Sequence, residues 1–263
     1  MASTRIFGDV TNRFSLEALL KTSDVSSSVQ RHLVRVYSLL ATVCGAAVAG
    51  TLLNVVYGVG DTLLEWPLLS ILLTVGSLMG VFFTSRDNVT RRTQFLLFFG
   101  ALNGLLIAPL VELSLEINPG ILVGAIGITL GVFVSFTAAA LSSQRRSYIG
   151  VFGVLGAVVS TLLVLQVLSI FVPSTLNYTL QLYLGAVMMA LYVLADTQMI
   201  VARAERGNAD HVQDALSLFQ DLFSLLVRVL IILLQKQAKR DSSSRGSSHS
   251  RSRSRKGRSQ RVA

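Results

Sequence analysis

From Ser147 to Ala195 the chain carries no charged side chain at all. A stretch that apolar and that long exceeds the ~20 residues needed to cross ~30 Å of hydrocarbon once, so it must turn back inside a bilayer. Val172-Pro173-Ser174-Thr175-Leu176-Asn177 supplies the break, since proline and small polar residues end one helix and start another. Four more uncharged runs precede it: Val36 to Gly60, Trp66 to Ser85, Thr93 to Val111 and Ile117 to Gln144. Each fits one span. Ala215 to Gln235 is the last candidate and the weakest, because it holds Asp221 and Arg228. The predicted fold class is all-α, a polytopic membrane bundle of seven helices whose seventh is weakly hydrophobic and either crosses or is re-entrant.

Composition agrees: 52% of residues are hydrophobic, 14% charged, and the mean hydropathy is +0.62. The net charge of +9 is confined to one end, since ten of the 23 basic residues and one of the 14 acidic ones follow Gln235. The body up to that point is neutral, which argues against a nucleic-acid partner. Three segments result. Residues 1–30 form a cytosolic amphipathic segment with the apolar patch Phe14, Leu16, Leu19 and Leu20. Residues 31–237 are the bundle. Residues 238–263 are a basic Arg/Ser tail that cannot bury a core and is predicted to be disordered. No apolar core of a cleavable signal peptide is expected in the first thirty residues.

Arg86, Arg91 and Arg92, then Arg145 and Arg146, then Arg203 and Arg206 fall in alternate connections, which predicts that those loops and the N-terminus face the cytosol. Seven full crossings would put the basic tail on the other side. The same rule favours a cytosolic tail, with Ala215 to Gln235 packed inside the bundle without a conventional crossing.

Two carboxylates stand out. Asp196 and Asp221 interrupt runs apolar enough for lipid, where an ionisable side chain costs at least ~2.5 kcal/mol. If Tyr178 to Gln235 is a helical hairpin with a polar loop from Arg203 to Asp214, each lies seven residues from the loop. Both then sit ~10 Å below one membrane face, level with each other. Such a pair can titrate as one unit and offer hard oxygen ligands to calcium. It can equally share a proton and only hold two helices together.

Gly76 with Gly80, Gly120 with Gly124, and Gly127 with Gly131 read as small-xxx-small packing pairs. No Walker loop, dinucleotide fingerprint, zinc-protease or nucleophile-elbow motif occurs, so no enzyme activity and no cofactor is predicted. His32, His211 and His249 are scattered, and the single Cys44 can form no intrachain disulfide.

Several ordered motifs carry a family resemblance: Phe14-Ser15-Leu16-Glu17-Ala18-Leu19-Leu20-Lys21, Ala108-Pro109-Leu110-Val111-Glu112 with Asn118-Pro119-Gly120-Ile121-Leu122, Arg145-Arg146-Ser147-Tyr148, Asp196-Thr197-Gln198-Met199-Ile200, Ala204-Glu205-Arg206-Gly207 and Leu218-Phe219-Gln220-Asp221. Over residues 5 to 237 the chain resembles the Bax inhibitor-1 family, in its eukaryotic endoplasmic-reticulum branch. The resemblance implies a multi-pass protein of the reticulum membrane that permits pH-sensitive calcium leak and suppresses stress-induced cell death. The family's paired aspartates map onto Asp196 and Asp221, which would hold calcium transiently. The arginine latch that bacterial relatives carry on the second helix has no counterpart in Trp66 to Ser85.

Arg228 is the local candidate for the missing counter-charge, because Asp214, Asp221 and Arg228 repeat every seven residues and share a helix face. Glu112 and Glu116, at the end of the third span, are either an ion entrance or solvated helix-end carboxylates. In the tail, Arg251, Arg253, Arg255, Lys256 and Arg258 suit anionic lipid headgroups. The alternative function is a non-conducting scaffold that regulates cell death or lipid metabolism through membrane-protein partners.

Overall fold

The computed structural model describes the backbone of residues 27–142 and 148–259, and side chains there except at 61–62, 148–151 and 241–259. The amphipathic patch at Phe14 to Leu20 lies outside the described residues. Within them the fold is wholly helical: α1 (Ser27–Tyr57), α2 (Val59–Glu65), α3 (Pro67–Phe83), α4 (Val89–Ile117), α5 (Pro119–Ser142), α6 (Tyr148–Phe171), α7 (Thr175–Glu205) and α8 (His211–Ser259). Six of these contain segments long and apolar enough to cross a membrane, the last from His211 to Arg240. The second predicted span is the shorter α3, at 17 residues, or ~25 Å of helix.

Local chemistry sets the boundaries. Gly58, at φ 65°, separates α1 from α2 in a left-handed conformation that costs glycine nothing. Pro67 and Pro119 open α3 and α5, where a missing N–H is harmless. Ser174 caps α7, its hydroxyl accepting from the Asn177 N–H at 3.1 Å. Gly207, at φ 74°, ends α7 in the left-handed region, with the Asn208 N–H returning to the Arg203 carbonyl at 3.1 Å. Asp210 then starts α8.

The most extensive pairing joins α1 and α4. A Cβ added at Gly104 would collide with the Ala47 carbonyl, and one at Gly50 with the Ala101 carbonyl. The expected glycine pairs do not behave this way. Gly76, Gly127 and Gly131 have nothing within 4 Å of an added Cβ, and Gly124 has only a Leu233 methyl at 3.6 Å. Of those pairs Gly80 alone meets another helix tightly, with the Phe95 ring 2.6 Å from its built Cβ. Small residues permit close approach but do not choose which face is used.

The segment with the weakest membrane signal occupies the centre. α8 packs against α7, α1, α5 and α4, and Val212, Ala215, Leu216, Leu218, Phe219 and Leu230 are almost completely buried. Phe219 meets Phe99 edge-on at 6.0 Å and stacks on Phe223 at 5.6 Å. α3 and α6 lie outside, presenting Leu68, Phe83, Ile170 and Phe171 outward, as lipid-facing helices do.

α8 also departs from the expected seventh segment. A re-entrant segment needs a turn within it, and α8 has none from His211 onward. Its His211–Arg240 portion is 30 residues long, or ~45 Å. It runs antiparallel along α7, so Gln235 lies at the opposite end of the bundle from Ser27. The backbone of α8 extends as helix to Ser259.

Candidate functional site: a buried carboxylate ladder

Four aspartates, Asp196, Asp210, Asp214 and Asp221, lie along the seam between α7 and α8 or at its end. Asp214, in the first turn of α8, is completely buried. Its Oδ2 lies 2.8 Å from Nε2 of His32, which α1 brings in from 182 positions away. Its Oδ1 lies 3.0 Å from Nη2 of Arg203 on α7. The second contact is an ion pair without hydrogen-bond alignment, since that oxygen has no bonded partner. Cation and imidazole together surround a carboxylate that could not otherwise leave water.

One turn above, Asp210 ties the same end to the start of α4 and to the loop before it. Its Oδ1 accepts from the Val212 and Gln213 N–H groups at 3.2 Å, capping α8. Its Oδ2 lies 2.8 Å from Arg92 Nη1 and 3.8 Å from Arg86 Nε. Arg92 is itself buried, and its Nε donates to the Val81 carbonyl of α3 at 3.0 Å. Burial works to raise the Asp210 carboxyl, but the Arg92 hydrogen bond, the Gln213 N–H and the two arginine charges outweigh it. The group is held below the ordinary aspartate range.

Deeper along the seam, Asp196 and Asp221 approach closely enough for their charges to act on each other. Asp196 is half-buried, within hydrogen-bonding reach of Ser217, and also feels Arg203 and Asp214. Asp221 is 7% exposed, and its Oδ2 has no hydrogen-bond partner. Asp196 is the one charged group that acts on Asp221, and among the described residues no hydrogen bond joins the two carboxyls. Among the described residues no ion pair joins a cation to Asp221.

Residues 29–238 match the family model described as "Inhibitor of apoptosis-promoting Bax1". This chain belongs to the Bax inhibitor-1 family. A "Probable Bax inhibitor 1" of Paralichthys olivaceus is 34% identical over 221 residues, covering 83% of this chain and 92% of that protein. The "Bax inhibitor 1" of Oryza sativa subsp. japonica is 32% identical, with 89% and 92% covered, and that of Sus scrofa 32%, with 86% and 94%. The Bax inhibitor-1 match ends at 238, so nearly all of the basic tail lies beyond it.

Other expected residues lie elsewhere. Arg228 is not brought to Asp221: its guanidinium lies against Gly185 of α7, and Tyr178 is the titratable group that acts on it. Glu112 Oε1 accepts from the buried Asn54 Nδ2 at 3.1 Å, joining α4 to α1 at the opposite end of the bundle, while Glu116 is exposed. The side chains of Arg251, Arg253, Arg255, Lys256 and Arg258 lie outside the described residues. Among the described residues no group of three or more His, Cys, Asp or Glu could hold a metal ion. His32, Arg92, Arg203 and Asp210 were not read as site residues from the sequence, where Arg92 and Arg203 counted only as loop charges. The one available signal was His32, a titratable residue at the start of an apolar run.

Proposed function

We propose that this chain is a multi-pass protein of the endoplasmic-reticulum membrane that suppresses stress-induced cell death, with the Asp196–Asp221 pair forming a proton-sensitive path for calcium leak. The names and the family description of its relatives support the first part. The second rests on one observation: Asp221 is buried, within the electrostatic reach of a second carboxylate, with an oxygen that no group among the described residues satisfies. Inside a membrane bundle that oxygen calls for a shared proton or a passing cation. Two carboxylates fall short of the 6–8 oxygens calcium takes, so water would complete the shell and binding would be transient.

Calcium flux into dye-loaded liposomes holding only the purified protein tests this across a pH series. The parent should give pH-dependent flux, and Asp196→Asn and Asp221→Asn should each flatten the profile. Folded variants that keep the parental profile would make the pair a helix-joining device. An absence of flux from the folded parent would leave the scaffold as the better reading.

A further inference from the structure

Arg228 lies roughly 18 Å before the Arg240 end of the spanning part of α8. It is half-buried and, among the described residues, forms no ion pair or hydrogen bond. A cavity of about 450 Å³ opens beside it between α4, α7 and α8, within the ~300–1,000 Å³ typical of small-molecule sites. Its polar wall is formed by Asn103, Tyr178, Gln181, Ser224 and Arg228. The two amides already donate elsewhere: Asn103 Nδ2 to the Phe99 carbonyl at 2.8 Å, Gln181 Nε2 to the Leu165 carbonyl at 3.0 Å and to Ser169. The guanidinium is the strong donor left facing the cavity, with a planar fork suited to carboxylate or phosphate.

We propose that Arg228 anchors an anion-binding site for the oxyanion headgroup of a membrane amphiphile, a phosphate diester or a carboxylate. The headgroup lies against Arg228 and Tyr178, and the acyl chain runs along the apolar wall of the cavity formed by Phe223, Val227 and Ile231 of α8. Arg228 thereby serves an external anion instead of Asp221. This role is independent of calcium passage and of the basic tail. Gly185 is part of the design: a Cβ there would enter the space the guanidinium occupies.

The test uses the full-length protein in neutral detergent, titrated with phosphatidylglycerol and, as the neutral control, phosphatidylcholine, with bound lipid counted by native mass spectrometry. Arg228→Gln should weaken phosphatidylglycerol retention about tenfold, the loss expected for one charge-assisted hydrogen bond, and leave phosphatidylcholine unchanged. Gly185→Ala should weaken it in the same direction by displacing the guanidinium without altering any charge. Arg228→Lys should fall between. The tail is identical in all four proteins, so its own lipid binding cancels. Displacement by excess inorganic phosphate would show that the site reads the oxyanion alone, and resistance to it that the acyl chain contributes; both support an oxyanion site. Equal phosphatidylglycerol retention by the parent and the monodisperse variants would overturn it. Should Arg228→Gln fail to fold, Gly185→Ala and Arg228→Lys carry the comparison.

Discussion

His32 and Asp214 meet at 2.8 Å across 182 positions of sequence, the carboxylate fully buried and the imidazole 8% exposed. Their contact fixes the start of α8 against α1, and it places the upper rung of the carboxylate ladder beside Arg203 rather than in a solvated loop. His32→Ala leaves Asp214 Oδ2 without a donor in a site closed to water. The expected cost is ~1–3 kcal/mol. It should be read as a lower apparent Tm in detergent, with His32→Gln recovering part of the loss through its amide donor. An unchanged Tm in His32→Ala would show that Arg203 alone satisfies the carboxylate.

Asp210 carries a pH dependence whose sign follows from its lowered value. A carboxyl that is more acidic folded than unfolded contributes stability above the ordinary aspartate value of ~3.9, and loses that contribution as pH falls through its lower folded value. Apparent Tm measured downward from about pH 6 should therefore drop below about pH 4. Asp210→Asn keeps the helix cap but removes the charge, so it should lower Tm at neutral pH and flatten that acid limb. Asp210→Ala should lose roughly a further 1 kcal/mol with the cap.

Glycine positions divide into two groups with opposite expectations. At Gly104 an added methyl meets the Ala47 carbonyl, so Gly104→Ala should destabilise by ~1–3 kcal/mol through forced separation of α1 and α4. At Gly127 it meets nothing within 4 Å. Gly127→Ala should be neutral or stabilising by up to ~1 kcal/mol, since alanine is the better helix former. Thermal unfolding of the two variants side by side checks both directions.

Much of this was legible in the chain because lipid imposes a single coarse rule, that uncharged runs become helices. The break at Pro173 followed from helix length alone, and the placing of Asp196 and Asp221 on neighbouring helices from the hairpin pattern. The upper site was not legible. Arg203 to Asp214 looked like a polar loop, yet α8 already begins at His211, and its polar residues are buried by partners from α1, α4 and α7. No local pattern encodes which distant helix supplies a partner. The same gap explains Arg228: a seven-residue spacing puts it on the face of Asp221, but the side chain reaches toward the cavity beside Tyr178.

Topology gives the sharpest remaining test. Asp214 near the start of α8 contacts His32 near the start of α1, and Asp210 contacts Arg86 of the α3–α4 connection and Arg92 at the start of α4, so these groups share one end of the bundle. Arg228, farther along the unbroken α8, lies beside Tyr178 at the start of α7, which marks the opposite end. A crossing α8 therefore delivers Lys239 to the side away from Arg86, although the ten basic residues after Gln235 argue for the cytosol. The penalty for carrying them across is met by the buried contacts of α8, which the charge rule does not count. In a Cys44→Ala background, a membrane-impermeant maleimide added to sealed microsomes should label Arg86→Cys and leave Lys239→Cys unlabelled until detergent is added. Labelling of both in intact vesicles would mean that α8 does not cross, and that the cytosolic pull of the basic tail prevails over the packing of the helix.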